Sequence, residues 1–232
     1  MKNKSLLIIL VAGLLILLYL LFNNQNNDKP ALTDAKTGNV KAEKNPAKDP
    51  FQNALVIPAG AIKYVINTDS SMVYWSISRH RGFVKFKSGY FVLLNNKILN
   101  GIFYVAMDSI KNLDIDYPLM KSVLEKVLKS PEFFNTAKYP VSAFLIDSLK
   151  KIGKDEYLIS GYMKIFDIVH KIKFKAQIKN YQNKLIAKSQ KFYIDRTKWG
   201  LTAYSKNFVQ QDTSFVVPDS IGLVVKIQAE KG

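Results

Sequence analysis

Between residues 168 and 179 the side chains keep a strict period of two. Ile168, His170, Ile172, Phe174, Ala176 and Ile178 fall on one side, and Lys171, Lys173, Lys175 and Lys179 on the other. That period belongs to a pleated strand with one dry and one wet face. Antiparallel sheets tolerate such a face, whereas all-parallel sheets are covered on both. The same beat recurs in Ile62, Tyr64, Ile66; in Val73, Trp75, Ile77; in Phe103, Val105, Met107; in Ser142, Phe144, Ile146; and in Ile221, Leu223, Val225, Ile227, Ala229. Turn-forming clusters separate the runs: NTDSS at 67–71, RHRG at 79–82, Asn95-Asn96, and KKIGKDE at 150–156. Gly89, inside the run 83–94, predicts a bulge or bend. About eight or nine strands result, mostly hairpin-linked. The fold class is all-β. A closed antiparallel barrel fits better than a two-sheet sandwich, because closure removes edges that would otherwise need protection.

One stretch breaks the beat. Leu119, Met120, Val123, Leu124, Val127 and Leu128 recur at helical spacing and form one apolar face. Pro118 suits the first helical turn, and Pro131 ends the pattern at Ser130. Ser130 can cap a short turn carrying Phe133 and Phe134, and Pro140 stops it before the next strand. A single greasy helix delivered straight into a sheet is predicted to act as a lid.

Ahead of the strands lies residues 5–22, an uncharged apolar run. As a helix it would measure about 27 Å, close to the thickness of a bilayer core. It is longer than the apolar core of a cleaved signal, and its end offers no small-residue cleavage site. We therefore expect residues 1–22 to form an uncleaved transmembrane signal anchor. Lys2 and Lys4 precede the run and no cation follows it closely, which places the N-terminus in the cytoplasm and the rest in the periplasm or outside. Residues 23–60, rich in Asn, Asp, Lys and Pro, are expected to be a flexible linker. Residues 61–232 are the folded domain.

Composition narrows the chemistry. There is no cysteine, which excludes disulfides, thiol nucleophiles and thiolate metal sites. The net charge of +16 comes mainly from scattered lysine; arginine occurs only at Arg79, Arg81 and Arg196. Such a distribution fits a solvated surface, or attraction to anionic lipid headgroups, better than a nucleic-acid groove, so no nucleic-acid partner is expected. His80 falls in a polar turn and His170 on an apolar strand face, and neither sits in a metal or hydrolase motif. Asp108, Asp114 and Asp116 fit turn and capping duty. No catalytic residue and no metal site is predicted. Asp195 and Arg196, adjacent in sequence, must each find a partner elsewhere.

Several stretches in one order carry a resemblance: SSMVYWSISRHRGFVKFKSGYF, NGIFYVAMDSIKNLDI, VLKSPEFFNTAKYPVSAF, YLISGYMKI, IDRTKWGLTAYS and DSIGLVVKIQAE. Together they resemble the YceI-like family of lipid-binding proteins over roughly residues 61–230. The resemblance implies a lipocalin-like barrel with a polyisoprenoid or similar long amphiphile inside, no catalysis and no metal. Carried onto this chain, the inward, ligand-binding positions are Val73, Trp75 and Ile77; Phe103, Val105 and Met107; Phe144 and Ile146; and His170, Ile172 and Phe174. The lid adds Leu124, Leu128, Phe133 and Phe134. The chain departs from the family at MKIFDIVHK. There Asp167 is expected to supply the positive-φ turn residue, with Phe166 altering the rim, and His170 is unusual for an inward slot.

Three readings stay open. In the first, the barrel holds an isoprenoid lipid or quinone, each buried CH₂ contributing about 0.8 kcal/mol, with lysines or Arg196 meeting a polar head at the mouth. In the second, the barrel is filled, a tethered interaction module with a cavity under about 300 Å³. In the third, an enzyme acts on a bound lipid through His170. The oligomeric state is left open, a homodimer included. If the anchor is uncleaved, the full-length chain fractionates with membranes and resists carbonate extraction. A shortened, soluble species contradicts it.

Overall fold

The computed structural model describes residues 50–51, 57–208 and 216–232. The expected anchor and most of the linker lie outside these. No helix among the described residues is long and apolar enough to cross a membrane. Phe51 lies beneath the Lys164 ammonium, 5.9 Å from nitrogen to ring centre.

The alternating runs become β1 (Ile62–Ile66), β2 (Met72–Ile77), β3 (His80–Leu94), β4 (Lys97–Ala106), the two-residue β5 (Lys111–Asn112), β6 (Val141–Lys151), β7 (Glu156–Ile165), β8 (Ile168–Tyr181), β9 (Lys184–Ser189), β10 (Phe192–Asp195) and β11 (Ser220–Lys231). Helix α1 spans Pro118–Lys129. All strands join one antiparallel sheet, hydrogen-bonded in the order β11-β2-β3-β4-β6-β7-β8-β9. Its last strand, β9, pairs β11 again, so the order returns to its start as a barrel-like ring. Strand β1 bridges β3 and β11, and β10 adds to β11. The eleven-stranded sheet exceeds the sequence expectation because short pieces such as β5 and β10 carry too few residues to show a period.

Register sets which side chains meet, since residues directly opposite one another share a face. Val73 faces Val84, Phe103 faces Phe144, Phe144 faces Met163, and Ile159 faces Phe174. The main core runs along this inner face and includes Phe86, Phe91, Phe103, Ile146, Ile178, Leu185 and Ile227. The lysines of β8 point the other way, into solvent.

Local differences from the sequence expectation have physical causes. The β2–β3 turn is tighter than RHRG suggested: Ser78 takes φ 50°, and His80 to Gly82 already belong to β3. Asn95 and Asn96 take φ 49° and 59°, as a two-residue hairpin requires. One of two register shifts in β3 falls between Phe86 and Ser88, just before Gly89; the other falls between Val92 and Leu93. In the β7–β8 turn it is Phe166, not Asp167, that adopts positive φ, 55°. Its ring centre lies 4.9 Å from that of Tyr139.

Helix α1 begins at Pro118 as expected, and the Ser130 carbonyl accepts the N–H groups of Phe133 and Asn135. Its apolar face is only half covered, and Leu119, expected on that face, is 74% exposed. The one buried residue of the helix is Glu125. Its carboxylate accepts the Asn112 N–H at 3.0 Å and pairs with Lys111 Nζ at 2.9 Å, tying the lid to β5. Burial pushes this carboxyl up, but the bonds from Asn112 and Lys111, with the nearby Lys121 charge, outweigh it and hold it below its usual value. The tie therefore adds stability at neutral pH and loses it as the pH falls through the depressed folded value. Amide exchange across 118–129 should speed up in acid. Glu125→Gln should show the faster exchange already at neutral pH, corresponding to about 1–3 kcal/mol of lost local stability.

Candidate functional site

Inside the ring and under α1 lies a cavity of about 260 Å³. Its wall is built of Val73, Trp75 and Ile77 from β2; Phe103 and Val105 from β4, with Met107 just after it; Phe144 and Ile146 from β6; and Phe174 from β8. Leu124, Leu128, Phe133 and Phe134 form its roof. Two of the predicted positions do not reach it. His170 instead bonds through Nε2 to the Lys198 carbonyl at 2.9 Å and stands edge-on to Trp199, 4.9 Å between ring centres. Ile172 packs on the neighbouring cluster of Ile165, Ile194, Trp199, Leu201 and Leu223. Both face inward, as their period demands. At that end, however, the inner face is covered by protein.

The cover is the segment that follows β10. After β10 the chain makes a 3-10 turn, Arg196–Trp199, closed by Gly200 at φ 79°. Trp199 is 1% exposed, and its indole N–H donates to the Met163 carbonyl at 3.2 Å. Arg196 is also buried. It donates to the carbonyls of Pro218 and Val217, each at 3.0 Å, and to that of Leu201, and it pairs with Asp219 at 3.3 Å. Asp195 instead accepts from Thr197 N–H and Oγ1. Each member of the adjacent pair thus finds a separate partner. Burial lowers the Arg196 pKa and the facing Asp219 and Asp195 carboxylates raise it back in part, so the group stays cationic. Arg196 touches the cavity wall, but its donors are spent on holding the segment down. This segment meets the roof, with Tyr204 stacked 6.0 Å from Phe133.

Other wall residues are not among the predicted ligand-binding positions: Ile178, Leu223 and Ile227 have the apolar phase, whereas Phe86, Ile159, Met163 and Ile194 are not marked by it. Cross-strand pairing would have found several, since Phe86 lies opposite Val105 and Leu223 opposite Trp75. Polar groups at the wall are few, and His80 is one of them. Its Nδ1 lies 2.8 Å from the Asp114 carboxylate, which also accepts from Arg81 N–H and Asn112 Nδ2, both at 2.7 Å. Burial raises the Asp114 pKa, but these donors outweigh it and hold the group below its usual value. Trp75 spreads across Gly82 so closely that a Cβ there would lie 2.4 Å from its ring. Among the described residues no group of three or more His, Cys, Asp or Glu could hold a metal ion.

The site is therefore an apolar, aromatic-walled hollow with two covers and nearly all its polar edge at one end. By the yardstick that an apolar cavity of about 150 Å³ admits one benzene, it has room for roughly ten carbon atoms. A longer chain must lift the half-buried roof.

Comparison with known proteins follows the same outline. The sequence profile of the YceI-like domain matches residues 64–229. Among solved structures, BcnA of Burkholderia cenocepacia superposes with a TM-score of 0.57 at 14% identity, over 71% of this chain and 99% of that one. A polyisoprenoid binding domain from Saccharophagus degradans, implicated in plant cell wall breakdown, gives 0.53 at 13% identity, over 74% and 99%. At these identities the likeness is one of fold. No curated protein matches the chain by sequence.

Arg196→Lys removes the fork that reaches three carbonyls at once and leaves buried acceptors unpaired. We expect a loss of about 3 kcal/mol in denaturant unfolding. Retention of full stability would show that the segment over β8 is held by Trp199 alone.

Proposed function

Because this chain belongs to the YceI-like domain family, and because its ring encloses an apolar hollow under a half-buried lid, we propose that it is a lipid-binding protein holding a prenyl or similar slender hydrocarbon chain within a closed, lipocalin-like barrel. The observation that carries this is the cavity itself. Phe103, Phe144, Phe174 and Trp75 face an interior that a core built only for stability would have filled. A hydrocarbon guest would gain about 0.8 kcal/mol for each buried CH₂. The polyisoprenoid named for the Saccharophagus domain is a ligand of that shape. The proposed action is sequestration or transfer, without catalysis. His170, the residue an enzymatic reading relied on, is turned to a backbone carbonyl away from the hollow. The uncharged run at residues 5–22 supports a membrane-tethered domain facing the periplasm or outside, where lipid is at hand.

The filled-barrel reading keeps one observation in its favour. The hollow, at about 260 Å³, falls below the about 300 Å³ at which ligand sites usually begin. On volume alone the chain would be a tethered module. Two features favour the carrier: the wall is apolar throughout most of its length, and the roof rests on it without being buried.

Full-length chain purified from its own host and analysed by mass spectrometry should carry a prenyl lipid at near-stoichiometric amount. Absence of lipid, together with no uptake of added prenyl lipid, favours the filled barrel.

A further inference from the structure

The hollow has a polar end. Trp75 Nε1 is buried and has no hydrogen-bond partner among the described residues. A buried indole N–H left unpaired is unfavourable, and the other tryptophan of this chain, Trp199, has its N–H satisfied. Trp75 packs on the small cluster of Val84, Met107 and Ile110, against which Leu128 and Phe134 of the lid also pack. The orphaned donor therefore sits beneath the roof.

His80 is next to it. In the β2–β3 hairpin Ile77 lies opposite His80, and Trp75 opposite Gly82. His80 and Gly82 thus share the inner face of β3, about 7 Å apart, and the Trp75 ring lies on Gly82. Asp114, already the acceptor of Arg81 N–H and Asn112 Nδ2, is held as a carboxylate. It fixes the His80 tautomer: Nδ1 carries a proton and donates to Asp114. Nε2 has no partner among the described residues and, in the neutral ring, is an acceptor. Trp75 and His80 both line the hollow, so one wall carries an unpaired donor and an acceptor at neighbouring positions.

We propose that Trp75 and His80 form the head-group subsite of the cavity and that it takes a hydroxyl. The ligand oxygen accepts the Trp75 Nε1–H, and its own O–H donates to His80 Nε2. Two such bonds to one roughly tetrahedral oxygen hold the nitrogens about 5 Å apart, within reach of side chains at neighbouring positions on one face. A carbonyl or ether oxygen can accept but has no proton for His80. A fully ionised phosphate likewise offers only acceptors. Asp114 is a positioning residue here, acting through His80. The inference rests on the cavity being a prenyl site, and it adds the chemistry of the head: a prenyl alcohol.

Three probes of about ten carbons separate the cases: geraniol, geranyl methyl ether and the parent hydrocarbon, titrated by calorimetry into the full-length chain. We expect geraniol to bind about tenfold tighter than the ether, as one further hydrogen bond predicts, and the ether tighter than the hydrocarbon. His80→Phe should bring geraniol down to the ether's affinity, and Trp75→Phe should weaken both oxygenated probes, with the hydrocarbon little changed in each. Equal binding of geraniol and ether by the unaltered protein overturns the subsite while leaving the carrier intact. Binding of none of the three overturns the carrier and the subsite together.

Discussion

Strand β11 is the constraint on which the rest of the structure depends. It is hydrogen-bonded along both edges, to β2 and β1 on one side and to β10 and β9 on the other. Without it the sheet would end in two open edges, β2 with β1 at one and β9 at the other. With it the strand order returns to its start, and at one end the inner face is covered by α1 and by the segment after β10, which meet at Phe133 and Tyr204. The apolar phase of β11, with Leu223, Ile227 and Ala229 buried, lies inside the ring and fixes the register of every strand that closes on it.

Burial has an electrostatic consequence. A buried polar group left unpaired is costly. Most buried polar side chains obey this. Ser71 bonds the β11 backbone, Asn112 and Glu125 join the lid to β5, and Arg196 saturates the carbonyls around it. Among the described residues Trp75 Nε1, Asn100 Oδ1, Ser160 Oγ and Asp219 Oδ1 are buried without a hydrogen bond; of these residues only Trp75 lines the hollow, where the wall also carries a histidine. The two covers differ in the same terms. The segment after β10 is pinned by a buried tryptophan and an arginine with four partners. The lid rests on a half-covered apolar face and one carboxylate tie. Of the two, the lid is the less deeply buried cover.

How far the sequence carried the fold can be seen strand by strand. Where a run is long and one side is wet, as at Ile168 to Lys179, the period of two was enough. The helix over 118–129 was equally plain from its spacing. The wall positions Val73, Phe103, Phe144 and Phe174 followed from the same phase. What escaped were features made by tertiary contact. His80 reads as a loop residue until Ser78, at positive φ, tightens the hairpin and draws it into β3. His170 and Ile172 have the right phase, but a covering turn lies over them, and no local pattern announces which stretch of an inner face another segment will occupy. Glu125 is polar, so an amphipathic pattern assigns it to solvent, yet it is the most buried residue of the lid.

The central claim is that the ring is hollow for the sake of a guest. A crystal structure of the full-length chain, prepared from its own membranes without delipidation, tests it most directly. The account predicts continuous density for a slender chain between Phe103 and Phe174, ending against Trp75, with the lid displaced outward from its resting place. Side chains closing the interior end to end, with the lid seated and no density between them, would contradict it.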